Sequence, residues 1–202
     1  MLIGESHYFP QEPYKDGMTS TRQHLDANTW YQGNVTTLTP DERKWIDPTG
    51  IITRSSEKGF SNRAHSIFKN SFFEINLHGP KYSDYRGVGE VVVFYNYFLR
   101  PALFGKFLQV VNKDKQIAEE VFKLVVDKYC PGAIVFLSKL AFGTWKASAA
   151  YPASIPIVAT PHPGCAHWNR LSYGGKKGKE ILGEFIKHIW HSAVEDQRLD
   201  PH

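Results

Sequence analysis

The sequence predicts a three-layer α/β/α domain built on a central four-stranded parallel sheet. Three observations carry that expectation. Four short apolar runs have β-type composition, helix-spaced segments lie between them, and 202 residues suit one domain (1–202) with a substantial core.

The strand runs are residues 1–4 (MLIG), 90–96 (EVVVFYN), 133–137 (AIVFL) and 155–160 (IPIVAT). The clearest helical segment is 114–129, where Ile117, Val121, Leu124 and Val125 share a face and Pro131-Gly132 stop the helix before the third run. Others are 62–77, with Ile67, Phe68, Phe72 and Ile75, then 140–149 and 178–191. Strand and helix alternate, so the strands should run parallel with helices on both faces. Residues 9–59 are polar, carry Trp30 and Trp45, and show no strong period beyond a helix near 40–45; they read as an ordered, loop-rich insertion. Residues 193–202 read as a frayed tail.

The composition, 42% hydrophobic and 22% charged, is that of a globular protein. The longest purely apolar run, 91–95, is far short of the roughly 20 residues that span a bilayer. No charged segment precedes an apolar stretch at the start, so the expectation is a soluble, cytoplasmic protein without a membrane partner. Two cysteines, Cys130 and Cys165, are too few for a disulfide framework or a four-cysteine iron–sulfur cluster. A net charge of +4 permits a polyanionic partner without requiring one. Its distribution says more: from Lys139 to Lys179 there are six basic residues, Lys139, Lys146, Arg170, Lys176, Lys177 and Lys179, and no acidic one. That pattern fits a basic surface, and equally a solvated lysine-rich loop.

Chemistry in a parallel α/β sheet is sought beyond the carboxyl ends of the strands. Gly4-Glu5-Ser6-His7-Tyr8 follow the first run, Tyr95-Asn96 end the second, and Ser138-Lys139 follow the third. The fourth run leads into His162-Pro163-Gly164-Cys165-Ala166-His167-Trp168, where Pro163 and Gly164 constrain the backbone around His162. An acid, an imidazole, an amide and several aromatics thus converge on one cleft. Judged singly each has a plainer role: His162 in a strand-to-helix turn, Glu5 on nearby N–H groups, Asn96 closing a turn, and Tyr8, Phe60 and Trp168 in a core.

Taken together and in order, GESHY, VVVFYN and TPHPG resemble the uracil-DNA glycosylase superfamily. There the first strand ends in a Gly-x-Asp-Pro-Tyr or Gly-Glu-Ala-Pro-Gly loop, a middle strand in a base-reading Asn, and the last strand in His-Pro-Ser. FSNRAHSIFKNSFFEI (60–75) and NYFLRPA (96–102) are weaker echoes of the same family. The resemblance spans nearly the whole chain. It implies cleavage of the N-glycosidic bond of a deoxynucleotide flipped into a pocket, with no cofactor and no metal. By that resemblance His162 donates toward a base carbonyl, Asn96 reads the base edge, Tyr8 limits the pocket and Phe60 stacks on the base.

The departures are as informative. Ser6 falls where the best-known branch has its water-activating aspartate, while Glu5 aligns with the glutamate of the Gly-Glu-Ala-Pro branch, so Glu5 is the candidate to orient water or stabilise the sugar cation. That branch usually carries an iron–sulfur cluster, for which this chain lacks the cysteines. His7 stands in place of proline, and Gly164-Cys165-Ala166-His167-Trp168-Asn169 replaces the loop that wedges into duplex DNA. Trp168 is then the candidate wedge or stacking platform, with Arg170, Lys176, Lys177 and Lys179 on the backbone phosphates of single- or double-stranded DNA bound by a monomer. Two alternatives stand beside this one. A binding module would keep the fold and hold a nucleic acid, base or nucleotide without turnover. A metal-dependent hydrolase would use His162, Cys165 and His167, spaced H-x2-C-x-H.

Overall fold

The computed structural model describes residues 1–9, 26–33, 38, 40–57, 60, 65–83, 85–103, 108–148, 154–172 and 174–199. Four strands form one sheet: β1 (Leu2–Phe9), β2 (Phe94–Leu103), β3 (Ile134–Phe136) and β4 (Ile157–Ala159). The order is β2-β1-β3-β4 and every pair is parallel. Helices among the described residues are α1 (Ala27–Tyr31), α2 (Pro40–Trp45), α3 (Pro48–Glu57), α4 (Ser66–His78), α5 (Tyr85–Val91), α6 (Asn112–Tyr129), α7 (Lys139–Ser148) and α8 (Gly178–Leu199).

Alternation along the strands builds the layers, because successive strand side chains point to opposite faces. Ile3, Ile134 and Phe136 face one core with Ala118 and Phe122 of α6 and Trp145 of α7. Leu2, Val135 and Leu137 face the other with Phe68, Phe72 and Ile75 of α4 and Leu182 of α8. The architecture is therefore the three-layer α/β/α arrangement with an all-parallel four-stranded sheet. No helix of the described residues is long and apolar enough to cross a membrane.

Element boundaries differ from expectation in instructive ways. Residues 90 and 91, expected in a strand, close α5, and β2 begins at Phe94. β2 then runs through Pro101 to Leu103, well past the expected end at Asn96. It is an edge strand paired only with β1, where a missing N–H is tolerated. β1 likewise continues beyond Gly4 to Phe9, with an irregular register between Ser6 and Tyr8. The buried stripe of α6 is Asp114, Ala118, Phe122 and Val126 rather than the one centred on Val121 and Leu124; Leu124 is exposed. Aromatic Phe122 and small Ala118 pack against the sheet, and a buried ion pair recruits Asp114. The insertion holds α1 and α3 besides the expected helix, now α2; its residues 10–25 lie outside those described. The presumed tail continues α8 to Leu199, in keeping with the helix-forming Ala193, Glu195, Gln197 and Leu199.

The ion pair ties β2 to α6. Arg100 Nε donates to Asp114 Oδ1 at 2.9 Å and Arg100 Nη2 to Oδ2 at 2.6 Å. Tyr31 of α1 donates its hydroxyl to Asp114 Oδ1, and the Val111 N–H donates to Oδ2, satisfying an orphan amide at the start of α6. This bidentate arrangement fixes the far end of β2 and with it the strand that presents Asn96.

Candidate functional site

The sheet order puts β2 on one side of β1 and β3 on the other. Connections therefore leave in opposite directions at the β1/β3 junction, which is the topological switch point where open α/β sheets bind ligands. β1 and β3 pair only at Leu2↔Val135 and Ile3↔Phe136, with Leu137 N–H donating to Ile3 O beyond them. Past that point β1 pairs with β2 alone.

Glu5 and Ser138 meet where the two strands separate. Ser138 Oγ donates to Glu5 Oε2 at 2.7 Å, and the Ala141 N–H donates to the same Oγ at 3.2 Å. Ser138 thus caps α7 and holds the Glu5 carboxylate at once. It stands at a predicted strand end without having been assigned a role; a Ser immediately before a helical segment is the signal that marks it.

From β4 comes His162. Its Nδ1 accepts the Gly164 N–H at 3.0 Å, so the neutral ring carries its proton on Nε2 and is a donor there. Burial pushes the His162 pKa below the usual imidazole value, opposed by the nearby Glu5 carboxylate, which keeps the ring neutral near pH 7. Asn70 of α4 donates Nδ2 to the Pro163 carbonyl at 2.7 Å and anchors this turn. A Cβ at Gly164 would come within 2.7 Å of Ser66 Oγ and 3.2 Å of the His162 ring, so a larger residue would have to displace the Ser66 side chain and press on the ring.

Asn96 arrives from β2. It is 8% exposed and lies directly over Gly4, where an added Cβ would sit 2.1 Å from Asn96 Oδ1. The Asn96 Nδ2 to His7 Nδ1 distance is 3.2 Å. Ser6 Oγ, within β1, and Thr160 Oγ1, just past β4, are buried without a hydrogen-bond partner. Such buried, unsatisfied groups are where a water or a ligand would be expected to bond.

Other predicted site residues are placed elsewhere. Phe60 is 1% exposed and packs edge-on against Phe72 at 5.9 Å and against Phe68, so it belongs to the core beneath α4 and offers no face for a base. Trp168, in a 3₁₀ turn over Ala166–Trp168, is 2% exposed and packs under α8, where a Cβ at Gly178 would meet its Cε3 at 2.8 Å. A wedge needs a ring that reaches solvent, so the DNA-wedging expectation for Trp168 is corrected to a core role. Tyr8 pairs in register with Ala102; its side chain lies outside the described residues.

The basic stretch is also less naked than its sequence. Lys176 pairs with Glu184 and Lys177 with Glu180, acids supplied by α8 from beyond the run. Arg170 is exposed, while Lys179 is partly buried and within the electrostatic reach of Glu74. Among the described residues no group of three or more His, Cys, Asp and Glu is placed to hold a metal ion, and His162 Nδ1 already accepts the Gly164 N–H, which removes the structural support for the H-x2-C-x-H cluster as a metal site. Cys130 and Cys165 are free thiols. No known protein family and no curated protein matches this sequence.

Proposed function

We propose that the chain is a DNA glycosylase-like hydrolase that cleaves the N-glycosidic bond of uracil or another altered base held at the β1/β3 switch point. The observation that carries the proposal is the His162 ring, whose Nδ1 is occupied by the Gly164 N–H and whose Nε2–H is a neutral donor within the electrostatic reach of the Glu5 carboxylate. Heterolysis of such a bond places negative charge on the departing base and positive charge on the sugar. A fixed neutral donor answers the first, and a carboxylate answers the second or orients the attacking water. Water adds to the sugar carbon as the base leaves with the bonding pair, and the base takes up the proton. Asn96, across β1 from this pair, supplies the amide that reads the base edge. The resemblance of GESHY, VVVFYN and TPHPG to uracil-DNA glycosylases points the same way. No cofactor is invoked, and two unpaired thiols are in keeping with the cytoplasm.

Uracil- and hypoxanthine-containing oligonucleotides, single- and double-stranded, test the proposal when incubated with the protein and treated with alkali. Strand breaks are expected that disappear in His162→Ala and fall steeply in Glu5→Gln. Intact strands with every altered base would overturn it.

One observation favours a second reading, a binding module of the same fold. Ser6 supplies no carboxylate where the best-known branch of the resembled family has its aspartate. Salt-sensitive oligonucleotide binding without turnover is its expected signature.

A further inference from the structure

Asn96 makes its described side-chain contact with His7. His7 lies in the stretch of β1 between Ser6 and Tyr8 where the register with β2 shifts. A carboxamide that turns over exchanges its oxygen for its nitrogen. An Asn that must distinguish two base edges therefore needs a partner that tolerates only one arrangement.

We propose that His7 is a positioning residue whose unprotonated Nδ1 accepts from Asn96 Nδ2, locks the carboxamide in one orientation and so sets which base edge Asn96 accepts. The orientation concerns this chain alone; the base edge rests on the glycosylase proposal. The contact distance is 3.2 Å, and a bare ring nitrogen attracts an N–H and repels a carbonyl oxygen. Gly4 leaves the space that the carboxamide occupies, and at 8% exposure Asn96 has little water to make the two orientations equal. Burial pushes the His7 pKa down to about 4, so the ring is neutral where the lock must work.

With one Nδ2 hydrogen on His7, the other stands beside Oδ1. That donor–acceptor order matches a ring carbonyl next to an N–H, as in uracil. The reversed order would match an amino group next to a bare ring nitrogen, as in cytosine.

The full chain, labelled with 15N and studied by NMR at pH 7.5, tests the lock directly. Expected are an unprotonated Nδ1 on His7 and a scalar coupling across the hydrogen bond to Asn96 Nδ2; a proton on His7 Nδ1 would overturn the proposal. For the base edge, the ratio of kcat/KM for uracil over cytosine in matched oligonucleotides is compared across variants. A fall of about tenfold is expected in His7→Phe, the loss of one orienting bond, with partial recovery in His7→Asn, whose Oδ1 can accept. An active His7→Phe with the unchanged ratio would overturn the specificity role. Should His7→Phe fail to fold, His7→Asn and the NMR measurement carry the test. A wild-type chain inert on all bases refutes the proposed function alone, since the tautomer and the coupling still decide on His7.

Discussion

Ser138 Oγ donates to Glu5 Oε2 at 2.7 Å across the gap where β3 parts from β1, while the same oxygen accepts the Ala141 N–H that begins α7. One hydroxyl therefore couples a helix cap to the orientation of the carboxylate. Ser138→Ala should cost about 1 kcal/mol of stability, the usual worth of a Ser cap. On the proposed glycosylase reading it should also lower kcat about tenfold with KM nearly unchanged, because the Glu5 carboxyl loses its aim. Urea denaturation and base excision by the same preparation check both. A stability loss with kcat untouched would confine Ser138 to capping.

Gly4 is constrained by close approach rather than by an unusual backbone angle. An added Cβ would lie 2.1 Å from Asn96 Oδ1 and 3.0 Å from Phe94 Cζ. The strand cannot move away without breaking its register with β2, so the carboxamide must yield. Gly4→Ala is expected to destabilise by about 1–3 kcal/mol, the range of an overpacked site, and to abolish base discrimination before it abolishes folding. A melting curve and excision rate equal to wild type would remove Gly4 from the site.

The fold class was legible in the sequence because buried parallel strands are continuous apolar runs and helices between them keep their own period. The same logic singled out Glu5, Asn96 and His162, but β1 and β2 run on past Glu5 and Asn96, so these two lie within strands and only His162 follows one. What it could not supply was facing. Trp168 and Phe60 are types that serve equally in cores and on ligand faces, and only the packing under α8 and α4 decides between them. The stripe of α6 was displaced by one residue because Asp114, a charged side chain, is drawn inward by Arg100 of β2. His7 was visible only as a departure from proline. Its contact with Asn96 is made across two strands, which no local pattern announces.

Two buried groups should separate along the acid limb of stability. The His7 pKa is pushed by burial to about 4, whereas the unfolded ring titrates near 6.5. Between those values the unfolded chain binds a proton that the native chain refuses. Stability is therefore full above about pH 6.5 and falls as the pH drops, by up to about 3 kcal/mol. Burial also works against the Asp114 carboxylate, but Arg100, the Val111 N–H and Tyr31 hold its pKa below the usual range. Its contribution is present above about pH 4 and is lost as the pH falls through the lower folded value. Urea midpoints at pH 7, 5.5, 4.5 and 3 should show both steps. His7→Phe should flatten the first, leaving the smaller share of His162, and leave the second in place. A wild-type midpoint constant from pH 6.5 to 4.5 would contradict the burial of the neutral rings.

Trp168 separates a core role from a DNA role cleanly. Its ring is 2% exposed beneath Gly178 at the start of α8, so Trp168→Ala leaves a cavity between the 3₁₀ turn and that helix. A loss of about 3–5 kcal/mol is expected, with the surviving folded fraction binding oligonucleotides as wild type does once its concentration is corrected. Arg170, exposed on the same segment, should behave in the opposite way: Arg170→Ala leaves stability within about 0.5 kcal/mol and weakens any oligonucleotide binding, with a shallower salt dependence. Calorimetric melting and salt-titrated binding of the two variants give the comparison. If Trp168→Ala melts with wild type and alone loses DNA affinity, the ring acts on the nucleic acid, and the turn that carries it must open to expose it.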